Sequence, residues 1–480
     1  MIDKEQKMID NGTPGPSRRD FLKVAGGAVL ATGMDARSYA RILGANDRIR
    51  LGQLGCGSRS GGHLHMVQLA SKQFPVETVA VCDLWSLARE KSAAHVKKSF
   101  NLEPRSYKYS EEMLASKDID GVMIATGDFQ HAKLCIDVVK AGKDCYVEKP
   151  FANVLSEAKA ARDAVKASKQ VVQMGTEYRS EPYALKVRDI VRSGRIGKLV
   201  RLEHQWSVNH QRWRFPGTDT GKSDIAHASP AEQEKWLNSR QSMLREEDTD
   251  WNRWLLGKPY RPFDPHVYLE FRLYKDYSTG IFDQWMSHAV DLVHMWTDES
   301  YPVSVMATGG NFVWHDQREN ADTVTAAMVY PKGFMYTYQM TLGNSYRSFA
   351  RIQGREGTIT STGTEGPSFY TVTKEGGSKE SDEGHLPVYT KLPIAASAEE
   401  EEELLNIPGA YPPSSRETPD DSVPHIMNWL TAMRDRREPN NTVDHGFSHA
   451  IACIMAAKSY WTGKRVYWDP KREEIVDQPV

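Results

Sequence analysis

"DRIRLGQLGCGSRSGGHLHMVQLA", Asp47 to Ala70, changes period in its middle. Ile49, Leu51 and Gln53 alternate at strand spacing, Gly55 and Gly57 interrupt them, and Leu64, Val67 and Leu69 then take one side of a helix starting near Gly62. Strand, glycine turn and helix in that order make an anion cradle. The first glycine permits the tight turn, the second lets backbone approach a pyrophosphate, and the helix start supplies N–H groups and a positive dipole end. Ser60 replaces the third glycine of G-x-G-x-x-G, with Gly61 and Gly62 just beyond, so the motif is weak by itself.

The next strands strengthen it. A second strand, Val76 to Cys82, ends at Asp83, 26 positions after Gly57. A carboxylate there accepts from adenosine ribose hydroxyls and repels a 2'-phosphate, favouring NAD over NADP. Arg89 nearby would suit a 2'-phosphate, and Asp83 also suits a plain helix cap. Two further strand–helix units start at Val122 to Ala125 and Cys145 to Val147, and such alternation implies right-handed crossovers and a parallel sheet. Ligands bind beyond the carboxyl ends of such strands, where Glu148, Lys149 and Pro150 stand.

The 480 residues suffice for two large domains. With 61 basic and 63 acidic side chains, net charge -2, no basic stripe marks a nucleic-acid partner. Five cysteines without a C-x-x-C pair argue against a disulfide framework or a zinc site. The N-terminal "SRRDFLKVAGGAVLATGM" resembles a twin-arginine export signal: Arg18 and Arg19 precede an apolar stretch shorter than the roughly 20 residues of a spanning helix. Residues 1–40 are therefore expected to be removed by the export machinery's route to the periplasm, with no permanent membrane anchor.

The ordered stretches "GCGSRSGGH", "AVCD", "IATGDFQH", "YVEKP" and "GTEYRS" resemble successive signatures of the Gfo/Idh/MocA oxidoreductase family. The resemblance implies a Rossmann-type parallel sheet domain over 46–176, then an α+β domain over 177–420 with a large open, mainly antiparallel sheet. Residues 421–480 would form helices and a closing strand packing back on the first domain. Cofactor contacts are expected at Gly55, Gly57, Ser58, Arg59, Asp83, Thr126, His131, Glu148 and Lys149. Lys149 would meet the substrate oxygen as charge develops, Glu148 would touch the cofactor or hold the lysine, and Pro150 would fix the turn.

From Lys198, period-two runs replace the earlier pattern: "KLVRLEHQWSV", "YPVSVMATGG", "DTVTAAMVYP", "FMYTYQMTLG" and "ARIQGREGTITST". Among them "GIFDQWMSHAVDLVHMW" resembles the family's D-x-G-x-H-x-x-D helix. His288 and Asp291, three apart, share one helical face. A neutral His288 would take the hydroxyl proton, and Asp291 would orient it or bind a substrate hydroxyl. Asp283 is open to two roles, substrate contact or helix cap. His294 continues the series but turns partly away around the helix, and no metal is expected.

Eight of the twelve tryptophans lie between 200 and 315, and they suit either a sugar-stacking surface or a core. Trp213, Tyr178 and Arg179 join Asp283 as expected substrate contacts. The acidic stretch 373–421 reads as an exposed excursion. The expected protein is an exported NAD-dependent oxidoreductase acting on a sugar or glycoside hydroxyl, with tightly held cofactor, as a homodimer or homotetramer. The rivals are an NAD-dependent glycoside-cleaving enzyme using transient oxidation and elimination, and a non-catalytic dinucleotide-binding sensor.

Overall fold

The computed structural model describes residues 48–211, 229–362, 369–374, 392–393 and 423–480. The first sheet is built from β1 (Ile49–Leu54), β2 (Val76–Cys82), β3 (Arg105–Tyr107), β4 (Gly121–Ile124), β5 (Asp144–Val147) and β6 (Val172–Met174), in the order β3-β2-β1-β4-β5-β6, all parallel. Every residue of β4 and β5 is buried, as expected of strands covered on both faces. Helices α1 (Ser58–Ala70), α2 (Ser86–Phe100), α3 (His131–Lys140) and α4 (Leu155–Ala167) make the crossovers. The direction of winding reverses between β1 and β4, which opens a crevice at their carboxyl ends.

Helix α1 begins at Ser58, four residues earlier than the apolar spacing suggests. The reason is that its inward face starts with small or polar side chains: Ser60 and His63 are buried along with Leu64, Met66, Val67 and Ala70, whereas Leu69 is only half-buried.

Among the described residues the second sheet has ten strands, in the order β14-β13-β12-β11-β7-β10-β9-β8-β15-β16. They are β7 (Leu199–Ser207), β8 (Ser304–Gly310), β9 (Thr323–Val329), β10 (Met335–Thr341), β11 (Phe349–Gly354), β12 (Gly357–Thr362), β13 (Phe369–Lys374), β14 (Leu392–Pro393), β15 (Val466–Asp469) and β16 (Glu474–Val476). Among the described residues only the β7–β10 pair of this sheet is parallel. Alternate residues, Leu202 and His204, Tyr336 and Tyr338, Val324 and Ala326, point into the core. The expected closing strand forms as β15, and β16 turns back on it to make a hairpin in which Tyr467 to Asp469 pair with Glu474 to Val476.

Helices α5 (Pro182–Arg192), α6 (Ser287–Thr297), α7 (Val423–Asp435) and α8 (Val443–Thr462) complete the core. Helix α7 sets Trp429, Leu430 and Met433 against Leu51 and Met66 of the first sheet's layer, and α8 packs on α4, α6 and β8. Helix α6 is buried on every side, so each of its polar side chains requires a partner inside the protein. That condition sorts the candidate site residues.

Candidate active site

Gly55 turns the chain at φ +87°, and a Cβ there would stand 2.5 Å from the Ala125 carbonyl oxygen. Only glycine satisfies both conditions. At Gly57 a Cβ would meet nothing within 4 Å. Helix α1 starts immediately afterwards, with no side-chain cap and no acidic residue in its first turn among the described residues. Its N–H groups therefore remain available to an anion. Open space over the second glycine and an uncapped helix start are the features a dinucleotide pyrophosphate needs, so the residues present fit that group.

The crevice is a cavity of about 830 Å³. Gly55, Gly57, Ser58, Arg59, Asp83, Thr126, His131, Glu148, Lys149, Tyr178 and His288 all line it, from the glycine turn to the second domain. Asp83 braces the turn, its Oδ2 accepting from the Cys56 N–H at 2.7 Å and its Oδ1 from the Trp85 N–H at 2.9 Å. Arg89 donates Nη1 to the Asp83 and Leu84 carbonyls at 2.7 and 3.0 Å, so its guanidinium is turned onto backbone.

Glu148 is 3% exposed. Its Oε1 accepts from Arg59 Nε at 2.5 Å and lies 2.9 Å from His63 Nε2, so both partners come from α1. Burial alone would push this carboxyl up, but the Arg59 guanidinium, with His63 and Lys149 adding, holds it well below the usual carboxylate range. Glu148 thus fastens α1 to the end of β5 and supports the residue after it. Lys149 is half-buried, is followed by a cis bond to Pro150, and donates Nζ to the Gln284 carbonyl at 2.7 Å and to Gln284 Oε1 at 3.2 Å. Burial lowers its pKa, against the pull of Glu148.

His131 Nδ1 lies 2.8 Å from the Pro150 carbonyl. A carbonyl only accepts, so Nδ1 carries the proton and Nε2 is a bare acceptor, without a hydrogen-bond partner among the described residues. The Thr126 hydroxyl is in the same condition. His288 is 7% exposed, its Nδ1 3.9 Å from Glu177 Oε2 and its ring 4.8 Å from that of Tyr178. Burial pushes its pKa down to about 4, only partly opposed by Glu177, which leaves a neutral imidazole at ordinary pH.

Three expected site residues stand elsewhere. Asp291 stops short of the cavity and accepts from Arg179 Nη2 at 2.8 Å, Arg179 Nε at 3.1 Å and the Thr176 hydroxyl at 3.0 Å. Neither Asp291 nor Arg179 lines the cavity. Burial would raise the Asp291 pKa, but the guanidinium holds it far below the usual range. Asp283 is fully buried behind the wall; its Oδ2 accepts from the Thr279 N–H at 2.8 Å, and burial with Asp128 nearby pushes its pKa up to about 7. His294 is occupied by the Tyr330 hydroxyl at 2.8 Å and the Ser448 hydroxyl at 2.7 Å, and among the described residues no His, Cys, Asp or Glu cluster suits a metal. Trp213 lies outside the described residues.

Residues not expected also reach the cavity. Gln284 and Trp285 come from a π-helical turn, Phe282–Met286, that leads into α6 and turns Gln284 rather than Asp283 to the opening. Glu177 and Arg272 line the same end. The tryptophans divide: Trp251 and Trp296 are core, whereas Trp254 stacks on Tyr268 at 5.2 Å and shares the cavity wall with it. Gln130 Nε2 donates to the Trp254 carbonyl at 2.6 Å, tying this segment to the first sheet. Glu177 lies inside "GTEYRS", Gln284 and Trp285 inside "GIFDQWMSHAVDLVHMW", and Trp254 in the tryptophan cluster, whereas Arg272 carried no signal in the sequence.

Residues 49–176 match the oxidoreductase family, NAD-binding Rossmann fold, described as GFO_IDH_MocA, and residues 250–360 match the GFO/IDH/MocA C-terminal domain. The chain belongs to the GFO/IDH/MocA oxidoreductase family and carries both of its domains. It is 26% identical over 249 residues to an alpha-N-acetylgalactosaminidase of Shewanella oneidensis, covering 47% of this chain and 52% of that one. It is 28% identical over 195 residues to the rhizopine catabolism protein MocA of Rhizobium meliloti, covering 40% and 58%. The chain thus spans about half the length of these relatives. The fold is shared with levoglucosan dehydrogenase in complex with NADH, at TM-score 0.61 and 17% identity over 88% of this chain and 99% of that one. The WlbA dehydrogenase of Bordetella pertussis, in complex with NADH and UDP-GlcNAcA, gives 0.58 and 17% over 88% and 99%.

Proposed function

We propose that this chain is an exported oxidoreductase that uses retained NAD to oxidise a hydroxyl of a sugar or glycoside. The observation that carries this reading is that Lys149 and His288, from different domains, line one cavity with the glycine turn. Nicotinamide, when bound, supplies hydride acceptance and return. Lys149 spends two N–H bonds on Gln284 and directs the third at the substrate oxygen, where negative charge develops. Neutral His288 takes the hydroxyl proton. NAD is preferred to NADP because Asp83 lines the cavity while Arg89 is turned onto backbone. Arg18 and Arg19 support export, and the open sheet supports a homodimer or homotetramer.

A second reading, redox-neutral glycoside cleavage, is favoured by the glycosidase similarity. Denaturing the mature protein, identifying released nucleotide by mass and incubating native protein with a glycoside panel separates the two. Bound NAD with a keto-sugar product supports the dehydrogenase, free aglycone without net reduction supports the glycosidase, and absence of nucleotide with no turnover sinks both.

A further inference from the structure

Asp128 is fully buried in the turn after β4, and its carboxylate meets polar side chains. Oδ2 accepts from the Ser278 hydroxyl and from Gln284 Nε2, each at 2.6 Å, while Oδ1 stands 3.5 Å from Arg272 Nε. The contact with Gln284 settles the direction of an otherwise ambiguous group. A carboxylate oxygen accepts, so the NH₂ end of the Gln284 amide must face Asp128 and Oε1 must face the opposite way. Opposite lies Lys149 Nζ, 3.2 Å from Oε1 and 2.7 Å from the Gln284 main-chain oxygen.

We infer that Asp128 and Gln284 are positioning residues for Lys149: Asp128 locks the Gln284 amide, and Gln284 then presents two oxygens that fix where the ammonium aims its remaining N–H. The parts come from three places, the β4 turn, the end of β5 and the π-helical turn before α6, so the relay forms only when the two domains are docked. The charged and titratable groups acting on Lys149 are Glu148, Arg272, Asp128 and Glu177, with Asp283 and His288 beside it. Asp128 and Gln284 both favour the charged lysine, Asp128 by its charge and Gln284 by accepting from it, against burial and the Arg272 guanidinium.

The inference rests on the reading of Lys149 as the group at the reaction centre, and its test keeps the two apart. Purified protein as isolated, with Gln284→Met and Asp128→Asn variants, is treated with acetic anhydride over a range of pH, and acetylation at Lys149 is monitored by peptide mass. Far-ultraviolet circular dichroism accompanies each variant, and Asp128→Asn, which retains an acceptor, covers the case in which Gln284→Met fails to fold. The expected result is a midpoint for Lys149 acetylation about one pH unit lower in both variants. A fall in kcat of about tenfold to a hundredfold with KM little changed is expected alongside. A shifted midpoint with unchanged kcat keeps the positioning inference and removes Lys149 from the chemistry. An unshifted midpoint in folded variants overturns the inference.

Discussion

Arg179 Nη2 donates to Asp291 Oδ1 at 2.8 Å inside the protein, where Asp291 is 1% exposed. The aspartate three residues after His288 therefore holds the 3₁₀ turn Glu177–Ser180 against α6, which places Glu177 and Tyr178 beside the imidazole. Breaking a buried pair strands one charge and costs about 3–5 kcal/mol. Asp291→Ala should accordingly lower the unfolding free energy by that amount in a urea titration. An Asp291→Leu, Arg179→Met double variant, with no stranded charge, should lose clearly less than the sum of the single variants.

Removing the amine should act on chemistry alone. Lys149→Ala is expected to lower kcat by about a hundredfold to a thousandfold, the usual loss for a donor at a charge-forming oxygen. Nucleotide released on denaturation should stay equal to wild type, because the glycine turn and α1 are untouched. Wild-type turnover in this variant would remove Lys149 from the mechanism.

The two glycines should fail in different ways. Gly55→Ala collides with the Ala125 carbonyl at a positive φ, so both the melting temperature and bound nucleotide should fall. Gly57→Val faces open space, so the nucleotide should be lost while the melting temperature matches that of nucleotide-free wild type. Calorimetry with nucleotide analysis of both variants checks this, and retained nucleotide in Gly57→Val would place the cofactor elsewhere.

Acid should destabilise the fold above the usual carboxylate range. Burial pushes His204 and His449 down to about 4 and His294 to about 3. Unfolded histidines titrate near about 6.5. Between those values the unfolded chain binds more protons, so stability is full above about pH 6.5 and falls as pH drops toward 4. Each group contributes a slope of up to about 1.4 kcal/mol per pH unit. Asp283, raised to about 7, acts with the opposite sign across the same window, but it is one group against four, because burial also pushes His288 down to about 4. Urea midpoints from pH 7 to pH 4.5 should therefore decline steadily, and a flat profile would contradict the buried neutral imidazoles.

The parallel sheet is legible in the sequence because its information is local. Glycine spacing at Gly55 and Gly57, short apolar strands and the charged run after β5 specify a cradle and an edge without reference to distant residues. Lys149 and His131 are thus placed on the cavity wall by their positions after strands.

Around α6 the same reasoning assigns Asp291 and Asp283 to a site they do not line, because helix spacing shows which residues share a face but not what that face meets. Packing on every side of α6 gives Asp291 to Arg179, and the π-helical turn exposes Gln284 in place of Asp283. Trp251 and Trp254, three apart, share one buried aromatic cluster, yet of the two Trp254 alone reaches the cavity wall, a difference that packing decides and spacing does not. The sequence by itself determined the cradle, the lysine and the strand–helix alternation that makes the sheet parallel. Docking of the second domain decided which side chains complete the site, since burial, not spacing, compels a polar group to choose its partner.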